Sequence, residues 1–96
     1  MDSSLYYVLR SQANSNYLTA HPNPDDAVAY LLLFSEQFDA LSYLNTHGSD
    51  VATQFQVETL PTRQLRGVLE RWQLQGIGLV EDPLLPRIEF LQVKAS

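Results

Sequence analysis

Residues 27–34 are continuously apolar and end in Tyr30-Leu31-Leu32-Leu33-Phe34, and the polar residues Ser35 and Glu36 follow at once. A strand that is buried on both faces of a helix-covered sheet has this composition, although a buried helix of the same length could share it. The next residues favour the strand, because Ser35 is a good N-cap for a new helix. The stretch therefore predicts a strand over Ala27–Phe34 that leads directly into a helix.

The predicted helix covers 36–47, with Gly48 in the C′ position that favours glycine. Its acids lie near the N-terminus, where the helix dipole favours negative charge. Helical spacing places Phe38, Leu41, Leu44 and Asn45 on one side. The opposite side carries Glu36, Tyr43 and His47. We expect the first of these sides to face the core.

Three strands are predicted around this unit on the N-terminal side and in the middle of the chain. Leu5–Arg10 and Tyr17–Ala20 are separated by turn-forming residues, which predicts a β-hairpin. The loop 21–26 contains two prolines and cannot continue a strand ladder. Val51–Glu58 alternates apolar and polar residues, which is typical of a strand with one buried face.

A second helix is predicted over Thr62–Leu74, opened by Pro61-Thr62 and ended by Gly76. Leu65, Val68, Leu69 and Trp72 have the i, i+3, i+4, i+7 spacing of a buried helical stripe. Gly67 lies on the outer side, where glycine costs about 1 kcal/mol relative to alanine, and the sequence offers no reason for it.

The C-terminal part predicts a strand over Ile77–Val80, a turn at Glu81-Asp82-Pro83 and a last strand over Arg87–Val93. The element order is then β-β-β-α-β-α-β-β. We predict a single α+β (mixed α/β) domain over residues 1–96, with frayed ends at 1–3 and 94–96. Its mixed sheet carries two packed helices, and the β-α-β-α-β middle predicts two crossovers with parallel pairing, while the strand order stays open.

Composition and charge exclude several classes of protein. The chain has 96 residues, 45% of them hydrophobic, which fits a globular domain. Its formal net charge is −5, and residues 11–62 contain six acids but no lysine or arginine, which argues against nucleic-acid binding. The absence of cysteine, of a signal-peptide pattern and of a long apolar run leads us to expect a cytoplasmic protein with no membrane association.

Two stretches carry a family resemblance. Residues 31–41, with a strand that ends in Phe34 and enters a helix through Ser35 and Glu36, resemble the N-terminal domain of the SseB-like family. Residues 76–83 also resemble it, with a Gly-x-Gly strand that ends in a polar residue and proline. That family usually has Asn-Pro where this chain has Asp82-Pro83. The chain also looks like small proteins of photosynthetic bacteria. The resemblance implies a fold and no active site.

The candidate chemistry of the sequence is sparse. His21, Asp25 and Asp26 could supply metal ligands, but no second histidine is near and the prolines between them favour a solvated turn. No histidine is placed to activate a hydroxyl, and Gly76-Ile77-Gly78 precedes a strand instead of opening a helix, so it is not a phosphate-binding loop. We therefore expect no catalysis, no metal and no cofactor.

Two hypotheses of function remain. The first is a small non-catalytic accessory or protein-interaction module, which binds another protein or a second copy through a sheet edge or through Tyr43, Glu36 and His47. The alternative is a regulatory domain that binds a small ligand. Its site would lie at the carboxyl ends of the parallel strands, where Ser35, Thr62, Glu81 and Asp82 could meet.

Overall fold

The computed structural model describes residues 5–23, 25, 28–47, 53–82, 84–85 and 87–92. Two helices and six strands alternate in the predicted order. The elements are β1 (Leu5–Ser11), β2 (Thr19–Ala20), β3 (Tyr30–Phe34), α1 (Gln37–His47), β4 (Phe55–Pro61), α2 (Thr62–Arg71), β5 (Gly76–Asp82) and β6 (Arg87–Gln92). The predicted α+β class and the mixed sheet with two helices are confirmed.

The strands form one six-stranded sheet in the order β4-β1-β3-β5-β6, and β2 adds to β3 beside this path. β3 and β5 pair in parallel, with Phe34 opposite Val80. β1 lies antiparallel between β3 and β4, so that Tyr7 is opposite both Phe34 and Thr59. The predicted parallel middle is therefore only partly correct, because β4 has the same direction as β3 and β5 but is separated from them by β1.

Strand β3 is buried along its whole length, as its composition predicts. Alternate residues point to opposite faces of a sheet, so its apolar side chains feed two cores. Leu32 and Phe34 belong to the core under α1, and Leu31 and Leu33 belong to the core under α2. Each helix thus covers a different face of the sheet, and β3 is the layer between them.

Helix α2 packs with three of the four residues of the predicted stripe, and the fourth, Trp72, is the C-cap residue that follows the helix. Leu69 is buried, and Leu65 and Val68 are half-buried in the same core. The helix ends at Arg71, earlier than predicted, and Gln73 takes the left-handed conformation (φ 57°) that reverses the chain. Gly76 does not end the helix, because it is a buried residue of β5.

Helix α1 faces the sheet with a different side from the one predicted. Ala40 and Leu44 are buried, and Tyr43 packs against the same core. Phe38 is 71% exposed and Leu41 is 44% exposed, so the prediction that they face inward was wrong. The small Ala40 side chain therefore lies against the sheet, while the bulky Phe38 side chain lies in solvent.

Several strand boundaries also differ from the predictions. The predicted β1–β2 hairpin is reduced to a bridge between Arg10 and Tyr17, and β2 pairs with β3 instead. The chain runs through a short 3₁₀ turn at 53–54 before β4, which continues to Pro61. Glu81 and Asp82 belong to β5 and not to the turn that follows it.

Some predictions fall on residues outside the described ranges. They are the frayed ends, the C′ role of Gly48, the starts of two strands at Ala27 and Val51, and the roles of Pro83, Pro86 and Val93. In the part of the chain that is described, neither helix is long and apolar enough to cross a membrane.

Gly76 lies where two strand backbones come closest. A Cβ atom at this position would overlap the carbonyl oxygen of Leu91 and would lie 2.8 Å from the Cα atom of Gln92. Both are backbone atoms of β6, so no side-chain rotation could relieve the overlap. The β5–β6 pairing therefore requires glycine at this position.

We expect Gly76→Ala to lower the free energy of unfolding by more than about 2 kcal/mol, because β6 must move away to admit the methyl group. Urea denaturation measures the change. Gly67→Ala is the matched control, since a Cβ atom there meets nothing within 4 Å. It should raise stability by up to about 1 kcal/mol. Equal stability of Gly76→Ala and the wild type would contradict the close approach of β5 and β6.

Candidate functional site

The strands β3, β4 and β5 point in one direction, so their carboxyl ends lie at one edge of the sheet. We call it the carboxyl edge. Ser35 and Glu81 directly follow the paired residues Phe34 and Val80, so the chain leaves β3 and β5 side by side. Thr62 follows β4, which is two strand spacings from β3, or about 10 Å away. Of the four predicted ligand residues, Ser35, Glu81 and Asp82 are brought together and Thr62 lies apart.

Three of these polar residues are exposed, and the fourth, Asp82, serves the turn. The Asp82 carboxylate accepts hydrogen bonds from the backbone N–H groups of Leu84 (3.0 Å) and Leu85 (3.4 Å). It therefore stabilises the β5–β6 connection, as aspartate commonly does in turns. Ser35, Glu81 and Thr62 are exposed at the surface.

Ser35 does not have its predicted capping role, and Thr62 is not an N-cap residue either. The carbonyl oxygen of Glu36 accepts from the N–H groups of Asp39 and Ala40, so Glu36 holds the N-cap position of α1. Pro61 holds the N-cap position of α2, with extended backbone and no side-chain cap. Ser35 thus lies one residue before the N-cap of α1, and Thr62 is the first residue of α2.

The carboxyl edge also exposes large apolar side chains, which the sequence analysis missed. Phe38 lies in the first turn of α1, Leu84 and Leu85 form the turn after β5, and Leu5 begins β1. Their exposed fractions are 71%, 63%, 67% and 47%. We call these four residues the apolar edge surface. Two consecutive leucines between Pro83 and Pro86 are the signal that could have revealed it, because turns are usually polar.

Charged groups flank Phe38, Leu84 and Leu85 in the sequence of this surface. Glu36, Asp39, Glu81 and Asp82 lie in the segments that carry it, and Arg87 is paired with Asp82 across the β5–β6 turn. Four acids against one arginine give the part of the rim beside Phe38, Leu84 and Leu85 a net negative charge. The arrangement of an apolar centre with a polar rim is typical of protein–protein interfaces.

The residues predicted as a partner surface on α1 do not form one cluster. The Tyr43 and His47 rings lie 4.8 Å apart between centroids, and Tyr43 also packs on Phe34 at 5.5 Å. Glu36 precedes the helix, eleven residues from His47 and therefore about 16 Å along the axis. Tyr43 is half-buried, and desolvation by this burial raises the pKa of its phenol above the ordinary value of 10.0.

The described residues include no group of three histidine, aspartate or glutamate side chains that could hold a metal ion. His21 and Asp25 lie in a turn in which the Asp25 N–H donates to Oδ1 of Asn23 (3.0 Å). Asp26, the third candidate ligand of the sequence analysis, is outside the described ranges.

Comparison of the chain with protein-family models, with curated proteins and with solved structures finds no significant match.

Burial of Tyr43 leads us to expect a pH dependence of stability. The folded state favours the protonated phenol. The contribution of this phenol to the free energy of unfolding is fully present below pH 10 and is lost as the pH rises through the raised pKa. Above pH 10 the wild type should therefore lose free energy of unfolding relative to Tyr43→Phe, which has no phenol to ionise. Urea denaturation of both proteins from pH 8 to pH 11 measures it. A difference that stays constant over this range would contradict the burial of the phenol.

Proposed function

We propose that this protein is a small, non-catalytic protein-interaction module, which binds a partner protein through the apolar edge surface. The exposure of Phe38, Leu84 and Leu85 at one edge of the sheet is the observation that carries this proposal. Scattered apolar residues at a protein surface are normal, whereas apolar residues grouped within a polar rim favour a binding site.

The packing of α1 supports the same interpretation. Ala40, Tyr43 and Leu44 already join the helix to the sheet, so Phe38 is not needed to hold it in place. Leu41 lies three residues from Phe38 and is 44% exposed, which extends the apolar surface along the helix. A partner that covers both residues would bury them without disturbing the core.

The acidic rim favours a partner of particular chemistry. A second copy of the chain bound through the same surface would bring two acidic rims together, which opposes association. An anionic membrane surface would be repelled for the same reason. We therefore infer a different protein, whose contact surface is apolar at its centre and basic around it.

A photoreactive residue in place of Phe38, introduced in the native cell, should cross-link to one protein that mass spectrometry identifies. The same residue in place of Leu91 is the matched control, because Leu91 is also exposed but lies near the start of β5. Sedimentation of the purified chain alone should give a monomer. Cross-linking of the chain to a second copy of itself at position 38 would overturn the inference that the partner is a different protein.

In the purified complex we expect Phe38→Ser and Leu84→Ser each to weaken binding at least tenfold, since each removes exposed apolar area from the interface. Their free energies of unfolding should stay within about 0.5 kcal/mol of the wild type, because neither side chain is in the core. Leu91→Ser should leave binding unchanged. Unchanged binding of Phe38→Ser and Leu84→Ser would reject the apolar edge surface as the binding site.

A further inference from the structure

A groove of about 470 Å³ opens where α2 meets the strands β1 and β4. Its cationic lining residues are Arg10, Arg63 and Arg71, and its other lining residues include Tyr17, Glu58 and Gly67. We call it the arginine groove. The whole chain has six lysines and arginines and a net charge of −5, so half of its basic side chains gather at this one place. It shares no residue with the apolar edge surface.

One arginine of the groove is engaged by the protein itself. Nη1 of Arg10 lies 3.4 Å from Oε1 of Glu58, and its Nε donates to the carbonyl oxygen of Ser15 (2.9 Å). Its guanidinium also lies 4.8 Å above the ring centroid of Tyr17. Glu58 accepts a further hydrogen bond from Gln56 (3.0 Å), so the single carboxylate of the groove is already neutralised.

The other two arginines are available. Arg63 and Arg71 are exposed, and neither side chain makes a hydrogen bond or an ion pair within the described ranges. The lining of the groove therefore holds three arginines against one glutamate, an excess of two positive charges. Such an excess on an acidic protein attracts an anion.

Gly67 lies midway between these arginines, four residues from each on α2. Glycine is a poor helix former, and packing does not require it here, because a Cβ atom would meet nothing within 4 Å. Its backbone is not in the left-handed region, so it is not needed for conformation either. The absence of a side chain at Gly67 leaves the groove open between Arg63 and Arg71.

We propose that the arginine groove binds a small phosphorylated ligand, with the phosphate held between Arg63 and Arg71 above Gly67. The planar guanidinium group forms paired hydrogen bonds with phosphate oxygens, which makes arginine well suited to such a site. The two Cα atoms lie about 12 Å apart along the helix, so their side chains can approach one anion from opposite sides. The volume falls within the range of small-molecule sites and leaves room for the rest of the ligand.

The molecule carries its own reporter for this site. Trp72 is the single tryptophan of the chain, and its ring packs edge-on against Tyr17, with 5.7 Å between centroids. Because Tyr17 lines the groove, a bound ligand should change the fluorescence of Trp72. We would titrate the full chain with phosphoserine in phosphate-free buffer, and confirm the affinity by isothermal titration calorimetry. Phosphoserine should give a saturable change, and serine should give none.

Substitutions on α2 test the geometry. The double variant Arg63→Gln/Arg71→Gln should weaken phosphoserine binding at least tenfold. Arg66→Gln is the matched control, because Arg66 is an exposed arginine of the same helix that does not line the groove. The affinity of this variant for phosphoserine should stay within twofold of the wild type. Gly67→Leu should weaken binding at least tenfold while raising the melting temperature, since leucine favours the helix but fills the groove.

Three results would overturn the proposal. Equal weakening by Arg66→Gln and by the double variant would show a general charge effect instead of a site. Unchanged affinity of Gly67→Leu would reject the position of the phosphate. A phosphoserine peptide that binds at least tenfold more tightly than phosphoserine itself would replace the small ligand by a phosphorylated protein.

Discussion

The rest of the structure depends on the burial of β3 on both of its faces. A short strand made of aliphatic and aromatic residues can be shielded from water only if other elements cover both of its faces and pair with both of its sides. One helix covers each face, β1 and β2 share one edge, and β5 takes the other. Because β1 pairs with β3 on this side, β4 is an outer strand of the sheet.

This arrangement determines where the functional surfaces lie. The directions of β3 and β5 bring the exposed residues of α1 and of the β5–β6 turn to the same edge, although Phe38 and Leu84 are far apart in sequence. The pairing of β1 with β4 likewise brings Arg10 beside Glu58, where they meet the arginines of α2. Both surfaces therefore depend on strand pairing, which joins local segments that are far apart in sequence.

The features that could be predicted from the sequence are those that a local apolar pattern encodes. The element types, the two-sided burial of β3 and the stripe of α2 could be read from it, because each has one clear apolar pattern. Helix α1 could not be oriented in this way, since its apolar residues surround much of the axis. Its inward face is instead formed by Ala40, Tyr43 and Leu44. The place of β4 could not be predicted either, because strand order depends on long-range pairing.

The residues that break local rules separate into two groups. Glycine is unfavourable in the interior of a strand, but the close approach of the β6 backbone leaves no room for a Cβ atom at Gly76. Packing therefore explains this residue. Gly67, Phe38 and Leu84 have no such explanation, since the first meets empty space and the others lie in solvent. Local preferences and the fold agree elsewhere in a protein that folds well, and exceptions concentrate where function opposes stability. Because these unexplained exceptions lie in the arginine groove and the apolar edge surface, they support two binding surfaces on one small domain.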